Sequence, residues 1–268
     1  ECIENAKDYA WGGAKYNTGN GIICIGVADL INSVAAVKHV VYETEQVSME
    51  RLLEALANDF EGYDDVLKAC KEAPKYGNDD ARADELAADL FTYIADEIES
   101  YRSKFGVMTP GILPVSGNTP FGLEVGALPS GRRAGKPLAD GVSPNSGTDL
   151  NGPSSVLKSV ANIPHARFVQ GTLLNMKLAP EMVSSENGKQ QLMAMLKSLC
   201  SLGVYHVQFN VVDQQKLIAA QKNPEEYRNL LVRVAGYTAF FVELGKDVQD
   251  DILARTVQVP GGSCVSCG

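Results

Sequence analysis

Two glycine-rich segments have spacings that could bind the phosphates of a nucleotide. Gly126 and Gly131 stand at the separation used by phosphate-binding loops, but the lysine and the serine or threonine that contact phosphate and magnesium are missing. The run Gly19-Asn20-Gly21 lacks the third glycine of a dinucleotide fingerprint. The sequence therefore predicts no nucleotide site at either segment.

The cysteines and histidines are the residues that could bind a transition metal. Cys264 and Cys267 have ligand spacing, but a single pair cannot complete a tetrahedral site. The histidines lie far apart, without an acidic or cysteine partner at ligand spacing; they are His39, His165 and His206. We therefore predict no metal site and interpret the cysteine pair as part of a frayed tail.

The segment 233–244 is mostly apolar and contains a single glycine, Gly236. A β-branched or aromatic residue would pack better between such neighbours, so the glycine indicates a tight turn or a close backbone approach. By spacing alone, this structural interpretation is the favoured one.

The surroundings of Gly236 also resemble the C-terminal signature of the glycyl radical enzymes, the pyruvate formate-lyase superfamily. The run Arg-Val-Ala-Gly-Tyr at residues 233–237 is followed by similar segments at 248–252 and 254–256. Further segments resemble the family in the right order, at residues 76–80, 129–132, 137–144 and 206–213. The resemblance covers roughly residues 1 to 257 and is closest to the branch of the B12-independent glycerol and propanediol dehydratases and choline trimethylamine-lyase.

The resemblance implies a radical stored on the α-carbon of Gly236. Such a radical is stabilised by the adjacent amide nitrogen and carbonyl and needs a planar centre, which only glycine supplies without crowding. A partner, an activating enzyme that uses S-adenosylmethionine and an iron–sulfur cluster, would remove the hydrogen atom. No cofactor is expected on the chain itself. The radical would pass to a cysteine sulfur, and that thiyl would take hydrogen from a small polar substrate in a site that excludes water.

The sequence departs from the family at the loop that carries this cysteine. No segment of the given sequence contains the loop's complete Gly-Cys-x-Glu run, and we interpret Cys2, Cys24 and Cys70 as small apolar residues. We therefore expect the chain to be the C-terminal part of a family member, with the N-terminal part or a homologous enzyme as its partner.

Four further residues receive roles from the resemblance. Leu113 falls where the family's dehydratases place a substrate-pocket tyrosine. Leucine lacks the hydroxyl that would bond to a substrate oxygen, so the identity of the substrate is not specified. Arg233 and Tyr237 flank the radical position, and Arg255 is expected to pair with Asp250 or Asp251. For the last three, structural support of the radical loop is the favoured role.

The elements that must position these residues follow from hydrophobic periodicity. Ser48 is a predicted N-cap for a helix, and a longer helix is predicted from about Arg82, with its apolar face at Leu86, Leu90, Ile94 and Ile98. A helix over 192–199 precedes a strand over 204–212, whose second face is polar and meets either solvent or a polar interior. Asn223-Pro224 predicts another helix start.

Residues 106–153 contain ten glycines and seven prolines, which excludes a long regular helix. Their apolar residues favour an ordered loop packed on a larger body over a disordered linker. By resemblance the fold is α/β, part of a ten-stranded α/β barrel of the glycyl radical type. The predicted units are 1–153 in the barrel domain, 154–257 as the glycyl radical domain, and 258–268 as an unaligned tail.

Composition restricts the partners. With 24 basic and 33 acidic side chains the net charge is −9, which argues against nucleic acid as a partner. No apolar run approaches the length of a membrane span, and the six sparse cysteines fit a reducing cytoplasm. A microcompartment location is compatible with this branch, and the full-length form is expected to be a homo-oligomer in anaerobic metabolism.

Two functions and one inactive state remain open from the sequence. The first is the radical-bearing part of a glycyl radical lyase, dehydratase-like, that eliminates water, an amine or another group from its substrate. The second is a non-catalytic radical carrier that docks onto an enzyme with a damaged glycine loop. The third is a structural remnant without activity.

Overall fold

The computed structural model describes residues 1–15, 20–103, 106–113, 116–259 and 264–265. Its first part is helical, as predicted. The Ser48 hydroxyl accepts a hydrogen bond of 3.2 Å from the Arg51 amide, and the Asp80 carboxylate one of 3.0 Å from the Arg82 amide, so both act as N-caps. The helices are α1 (Val27–Val37), α2 (Met49–Ala57), α3 (Asp64–Glu72) and α4 (Ala81–Ser100), with a π-helical turn at Lys38–Glu43.

The buried face of α4 is rotated from the predicted one. Ile98 is buried as expected, but Leu86, Leu90 and Ile94 are only half-buried. The core stripe is formed instead by Ala83, Ala87, Phe91, Ala95 and Ile98. The small alanines allow close packing around Phe91, whose ring makes an edge contact with Phe168 at 5.9 Å between centroids.

The glycine- and proline-rich zone is ordered, as predicted, but it is not loop throughout. A short hairpin leads into the zone, in which β2 (Arg102–Ser103) pairs antiparallel with β3 (Gly106–Val107), and β4 (Thr109–Gly111) follows. A seven-residue helix, α5 (Asn118–Glu124), then interrupts the predicted loop. Gly122 on α5 packs against the backbone of Lys136, where a side chain would collide. The remainder is irregular and buries Leu138, Ala139 and Val142.

The second part alternates helices and strands. The helices are α6 (Pro153–Ala161), α7 (Glu181–Ser184), α8 (Glu186–Leu202), α9 (Gln214–Lys222) and α10 (Lys246–Ala254). The strands are β5 (Leu174–Leu178), β6 (Val207–Val211), β7 (Leu231–Arg233), β8 (Thr238–Phe240), β9 (Val257–Gln258) and β10 (Cys264–Val265). The predicted helix over 192–199 and strand over 204–212 are confirmed.

The helix predicted at Asn223-Pro224 is largely wrong. The structure has only a single 3-10 turn at Pro224–Tyr227, and the Asn223 side chain makes no capping hydrogen bond there. Asn223 instead follows the end of α9, and its amide donates to the Ala219 carbonyl. The chain cannot continue as a helix because Leu231 already pairs with Phe240 in a hairpin.

The main strands form a parallel arc. β1 (Gly21–Ile23) pairs in parallel with β4, a bridge joins Ile112 to Thr172, and β5 pairs in parallel with β6. At its far end β5 also pairs with β9, which in turn pairs with β10. The described residues form no closed ten-stranded barrel; the strands make an open α/β arrangement. No helix among them is long and apolar enough to cross a membrane.

Candidate radical-loop site

Gly236 lies at the tip of the β7–β8 hairpin. Arg233 pairs with Thr238 across the hairpin, and the Val234 amide donates to the Tyr237 carbonyl at 2.9 Å, which closes a four-residue turn. Gly236 has a φ of 86° and is exposed. The turn predicted from the glycine is therefore confirmed, and its positive φ is the backbone reason for the residue.

Space does not restrict the side chain at this position. A Cβ built on Gly236 would have no neighbouring atom within 4 Å. The flanking residues differ, because Val234 and Ala235 are buried beneath the hairpin while Gly236 projects from it. The α-carbon of Gly236 can therefore be approached from outside.

The polar face of β6 holds the hairpin. The Gly236 amide donates to Gln208 Oε1 at 2.9 Å, and Asn210 Nδ2 donates to the Arg233 carbonyl at 3.1 Å. Gln208 and Asn210 are both buried, with 6% and 7% of their surface exposed. Of the two predicted alternatives for this strand face, a polar interior is therefore correct at these residues, whereas His206 is exposed.

A chain of side-chain amides continues from Gln208 into the molecule. Gln208 Nε2 donates to Asn175 Oδ1 on β5 at 2.8 Å. Asn175 Nδ2 in turn donates to the carboxylate of Asp140, in the glycine- and proline-rich loop. Burial raises the pKa of Asp140 to about 6, although Arg255 opposes the rise.

Arg255 completes the connection back to the hairpin. Its Nη1 donates to the Val234 carbonyl at 2.7 Å, two residues before Gly236. Its Nη2 lies 2.9 Å from Asp251 Oδ2 and 3.2 Å from Asp140 Oδ2, and the Arg255 side chain is only 12% exposed. The expected pairing with Asp251 is confirmed, whereas Asp250 pairs with Lys246 at 2.7 Å instead. The contact with Asp140 was not predicted.

The other two predicted support residues lie in the hairpin itself. Arg233 is exposed, and its Nη1 donates to Thr238 Oγ1 at 2.9 Å. Tyr237 is half-buried, and it contributes the backbone carbonyl that closes the turn. Both contacts are structural, and neither side chain bonds to Gly236 in the part of the chain that the structure describes.

Leu113 takes no part in the hydrogen bonds described above. It follows β4 in a half-buried position, next to Gly171. The next two residues of its motif, Pro114 and Val115, lie outside the described residues. None of the contacts among the described residues tests the assignment of Leu113 to a substrate pocket, which stays a prediction.

The cysteines differ in their surroundings. Cys70 on α3 is fully buried, and burial raises the pKa of its thiol to about 11. Cys2 and Cys24 are half-buried and Cys200 is exposed. Of the tail, the structure describes Cys264 only as part of β10, and Cys267 lies outside the described residues. Within the described ranges, no group of three or more His, Cys, Asp or Glu residues could hold a metal ion.

A groove of about 870 Å³ runs between the glycine- and proline-rich loop and α10. Basic and acidic residues line it, among them Lys75, Arg132 and Asp251. Lys75 Nζ donates to the carbonyls of Cys70 and Ala73 at 2.6 and 2.9 Å, and the Arg132 guanidinium donates to five loop carbonyls. Lys75 and Arg132 are therefore committed to backbone carbonyls at this groove.

Comparison with known proteins assigns the chain to a family. Residues 1–122 match the pyruvate formate lyase-like family, and residues 138–242, which include the whole hairpin, match the glycine radical family. Relatives named as dehydratases match 96% of the chain, and relatives named as isethionate sulfite-lyases match 87%. The chain therefore belongs to the glycyl radical enzymes.

Individual relatives are similar over most of the chain. It is 43% identical to a probable dehydratase, YbiW, of Escherichia coli, over 96% of this chain and 33% of the relative. It is 42% identical to an isethionate sulfite-lyase of Desulfovibrio desulfuricans, over 87% and 28%. The solved glycerol-bound B12-independent glycerol dehydratase of Clostridium butyricum has a TM-score of 0.91 and 41% identity, over 96% and 33%. The chain thus spans about a third of the length of these proteins.

Sequence reasoning missed the residues that hold Gly236 most directly. Gln208, Asn175 and Asp140 were not assigned to the site, although Gln208 and Asp140 lie in segments that resemble the family. The available signal was the polar face of β6, because buried amides at alternating strand positions must bond to something. Nothing in the sequence identified the hairpin backbone as the partner of these amides.

Proposed function

We propose that the protein stores an unpaired electron on the α-carbon of Gly236 and serves a lyase or dehydratase reaction on a small polar substrate. One observation carries the proposal: within the segment that matches the glycine radical family, Gly236 is held at a hairpin tip with an accessible α-carbon. The relatives, which are named dehydratases and lyases, support the reaction class.

The chemistry at Gly236 is the loss of one hydrogen atom. An activating enzyme that uses S-adenosylmethionine would break a Cα–H bond homolytically, taking the hydrogen with one electron and leaving one electron on the α-carbon. The neighbouring amide nitrogen donates electron density and the Gly236 carbonyl withdraws it, so the radical is shared along the backbone. A cysteine sulfur would then relay the radical to substrate.

The exposure of Gly236 supports a covering partner. A stored radical needs protection from water and oxidants, yet Gly236 projects freely from the hairpin. The outer strand β1 is exposed as well, with Ile22 and Ile23 at 37% and 41%. We propose that further strands complete a ten-stranded barrel around the hairpin, with residues 1–153 in the barrel domain and 154–257 as the radical domain. This proposal is consistent with the share of its relatives that the chain covers, which is about a third of their length.

The alternative of a non-catalytic radical carrier has no support from the comparisons. The relatives that match most of the chain are named for reactions on substrates. We therefore do not propose the carrier or the inactive remnant.

Electron paramagnetic resonance tests the proposal. The natural protein that carries this sequence is incubated without oxygen with a radical-generating activating enzyme, proven on a relative, and S-adenosylmethionine. A glycyl radical keeps one α-hydrogen, so its spectrum is a doublet that collapses when the protein is made with α-deuterated glycine. We expect the doublet in the wild type and its absence in Gly236→Ala.

Gly203→Ala is the matched control. Gly203 also has a positive φ, of 73°, and no atom within 4 Å of an added Cβ, but it lies at the end of α8. It should keep the doublet. A doublet that survives in Gly236→Ala, or silence in the wild type, would overturn the proposal.

A further inference from the structure

The hydrogen bonds around Gly236 form a closed circuit, in which each group from Gly236 to Asn175 donates to the next and Asp140 accepts from both sides. From the Gly236 amide it passes through Gln208, Asn175 and Asp140 to Arg255, which returns to the hairpin at the Val234 carbonyl. The two ends of the circuit therefore fix the peptide groups on either side of Ala235.

The chemistry at both ends sets the orientation of the two amides. A backbone N–H can only donate, so Gln208 must present its oxygen to Gly236 and its NH₂ to Asn175. An ionised carboxylate can only accept, so Asn175 must present its NH₂ to Asp140 and its oxygen to Gln208. The two requirements agree, and the ion pair of Asp140 with Arg255 anchors the acceptor end.

We infer that Gln208, oriented by Asn175 and Asp140, is a positioning residue that fixes the Gly236 peptide plane for the stored radical. The inference rests on the proposed function. Delocalisation requires the substituents of the α-carbon to turn into the plane of the adjoining peptide group, away from the present φ of 86°, and Gln208 fixes that plane by holding its N–H at 2.9 Å. An acceptor on the N–H also favours electron donation from the nitrogen. No other hydrogen bond to the Gly236 amide occurs among the described residues.

Two readouts on the natural protein test this role. Amide hydrogen exchange at Gly236 needs no radical, and in Gln208→Leu it should be about five- to tenfold faster, as expected for one lost net hydrogen bond. In the activated protein, the hyperfine coupling of the exchangeable amide hydrogen of Gly236 should change, and the doublet should decay faster. Asn175→Leu should act in the same direction but less, and the double variant should be no worse than Gln208→Leu alone.

Asn210→Leu is the matched control. It removes an equally buried side-chain amide from the same face of β6, but this amide bonds to the backbone of Arg233 in the hairpin and not to Gly236. It should leave the amide-hydrogen coupling at Gly236 unchanged, even where it lowers stability. If Gln208→Leu does not fold, Asn175→Leu carries the test, because Asn175 is only partly buried and Gln208 remains in place.

The outcomes separate the two proposals. A wild type without a doublet overturns the proposed function and this inference with it. A wild-type doublet whose coupling and lifetime are the same in Gln208→Leu, or are altered equally by Asn210→Leu, overturns this inference alone.

Discussion

Arg255 Nη2 lies 3.2 Å from Asp140 Oδ2, and this ion pair joins the end of α10 to the glycine- and proline-rich loop. The same nitrogen lies 2.9 Å from Asp251 Oδ2. Nη2 of Arg255 thus pairs with two buried carboxylates, while Nη1 donates a hydrogen bond to the Val234 carbonyl in the hairpin. Stability and hairpin geometry are therefore coupled at Arg255.

Arg255→Met should destabilise the protein by about 3–5 kcal/mol at pH 7.5, because it leaves two buried carboxylates without their cation. The loss should shrink near pH 5, since Asp140, whose pKa is about 6 even beside Arg255, can then take up a proton. Urea unfolding at the two pH values measures both effects.

Arg167→Met is the control for this prediction. Arg167 pairs with Asp96 and Glu99 at 2.7 and 2.6 Å on a more exposed surface, so its loss should cost about 1 kcal/mol or less. Equal losses of stability in the two variants would show that the buried group of Arg255, Asp140 and Asp251 contributes no more than an exposed ion pair.

Two glycines with positive φ should respond differently to alanine. Gly141 has a φ of 58°, and an added Cβ would collide with the Leu173 carbonyl oxygen, which accepts a 2.9 Å bond from Val142. Gly141→Ala should cost about 3 kcal/mol or more. Gly236→Ala should cost only about 1 kcal/mol, for its backbone conformation alone. Thermal unfolding measures both effects. Equal decreases in the midpoint temperature of the two variants would contradict this prediction.

Asp149 should give the protein a pH-dependent stability. Burial raises its pKa to about 6, despite bonds from Thr256 and Gln258. Between about pH 4 and 6 the unfolded chain releases this proton while the folded chain keeps it, so the free energy of unfolding falls as pH rises. The fall should be about 1–3 kcal/mol and should be missing in Asp149→Asn, as measured by urea unfolding across this range.

Asp250→Asn is the control, because the contribution of Asp250 to the free energy of unfolding has the opposite pH dependence. The bond from Lys246 lowers the pKa of Asp250, so its ionised form stabilises the folded state and its contribution is lost as pH falls. Similar slopes for the Asp149 and Asp250 variants would rule out this explanation.

Arg132 should control the order of the loop around it. Its guanidinium donates to the carbonyls of Gly122, Val125, Gly126, Lys136 and Pro137. Lysine cannot reproduce this planar set of donors. Arg132→Lys should therefore be cut faster within 122–137 in limited proteolysis, by about tenfold for a loss of about 1.4 kcal/mol. An unchanged rate would show that apolar packing alone orders the loop.

Local signals in the sequence predicted the local structure. Ser48 identified the start of α2, and alternation identified β6, because caps and periodicity depend on near neighbours. Composition failed at α5, whose seven residues form a helix in a segment rich in glycine and proline. Of the candidate site, the sequence predicted Gly236 but not the side chains that hold it. Gly236 stands in a recognisable run, whereas Gln208 bonds to it across 28 residues and Asn175 bonds to Gln208 across 33, and no local pattern encodes either contact.

The position of β5 also has a consequence for biosynthesis. Lys177 and Leu178 pair with Val257 and Gln258, some 80 residues further along the chain. During translation this edge of β5 stays open until residue 258 has left the ribosome, although β6 on the other side is long finished. The nascent chain therefore presents an unpaired strand for several seconds, since synthesis adds about 5–20 residues per second. Chaperone binding to the ribosome-bound protein should be strongest while that edge is uncovered.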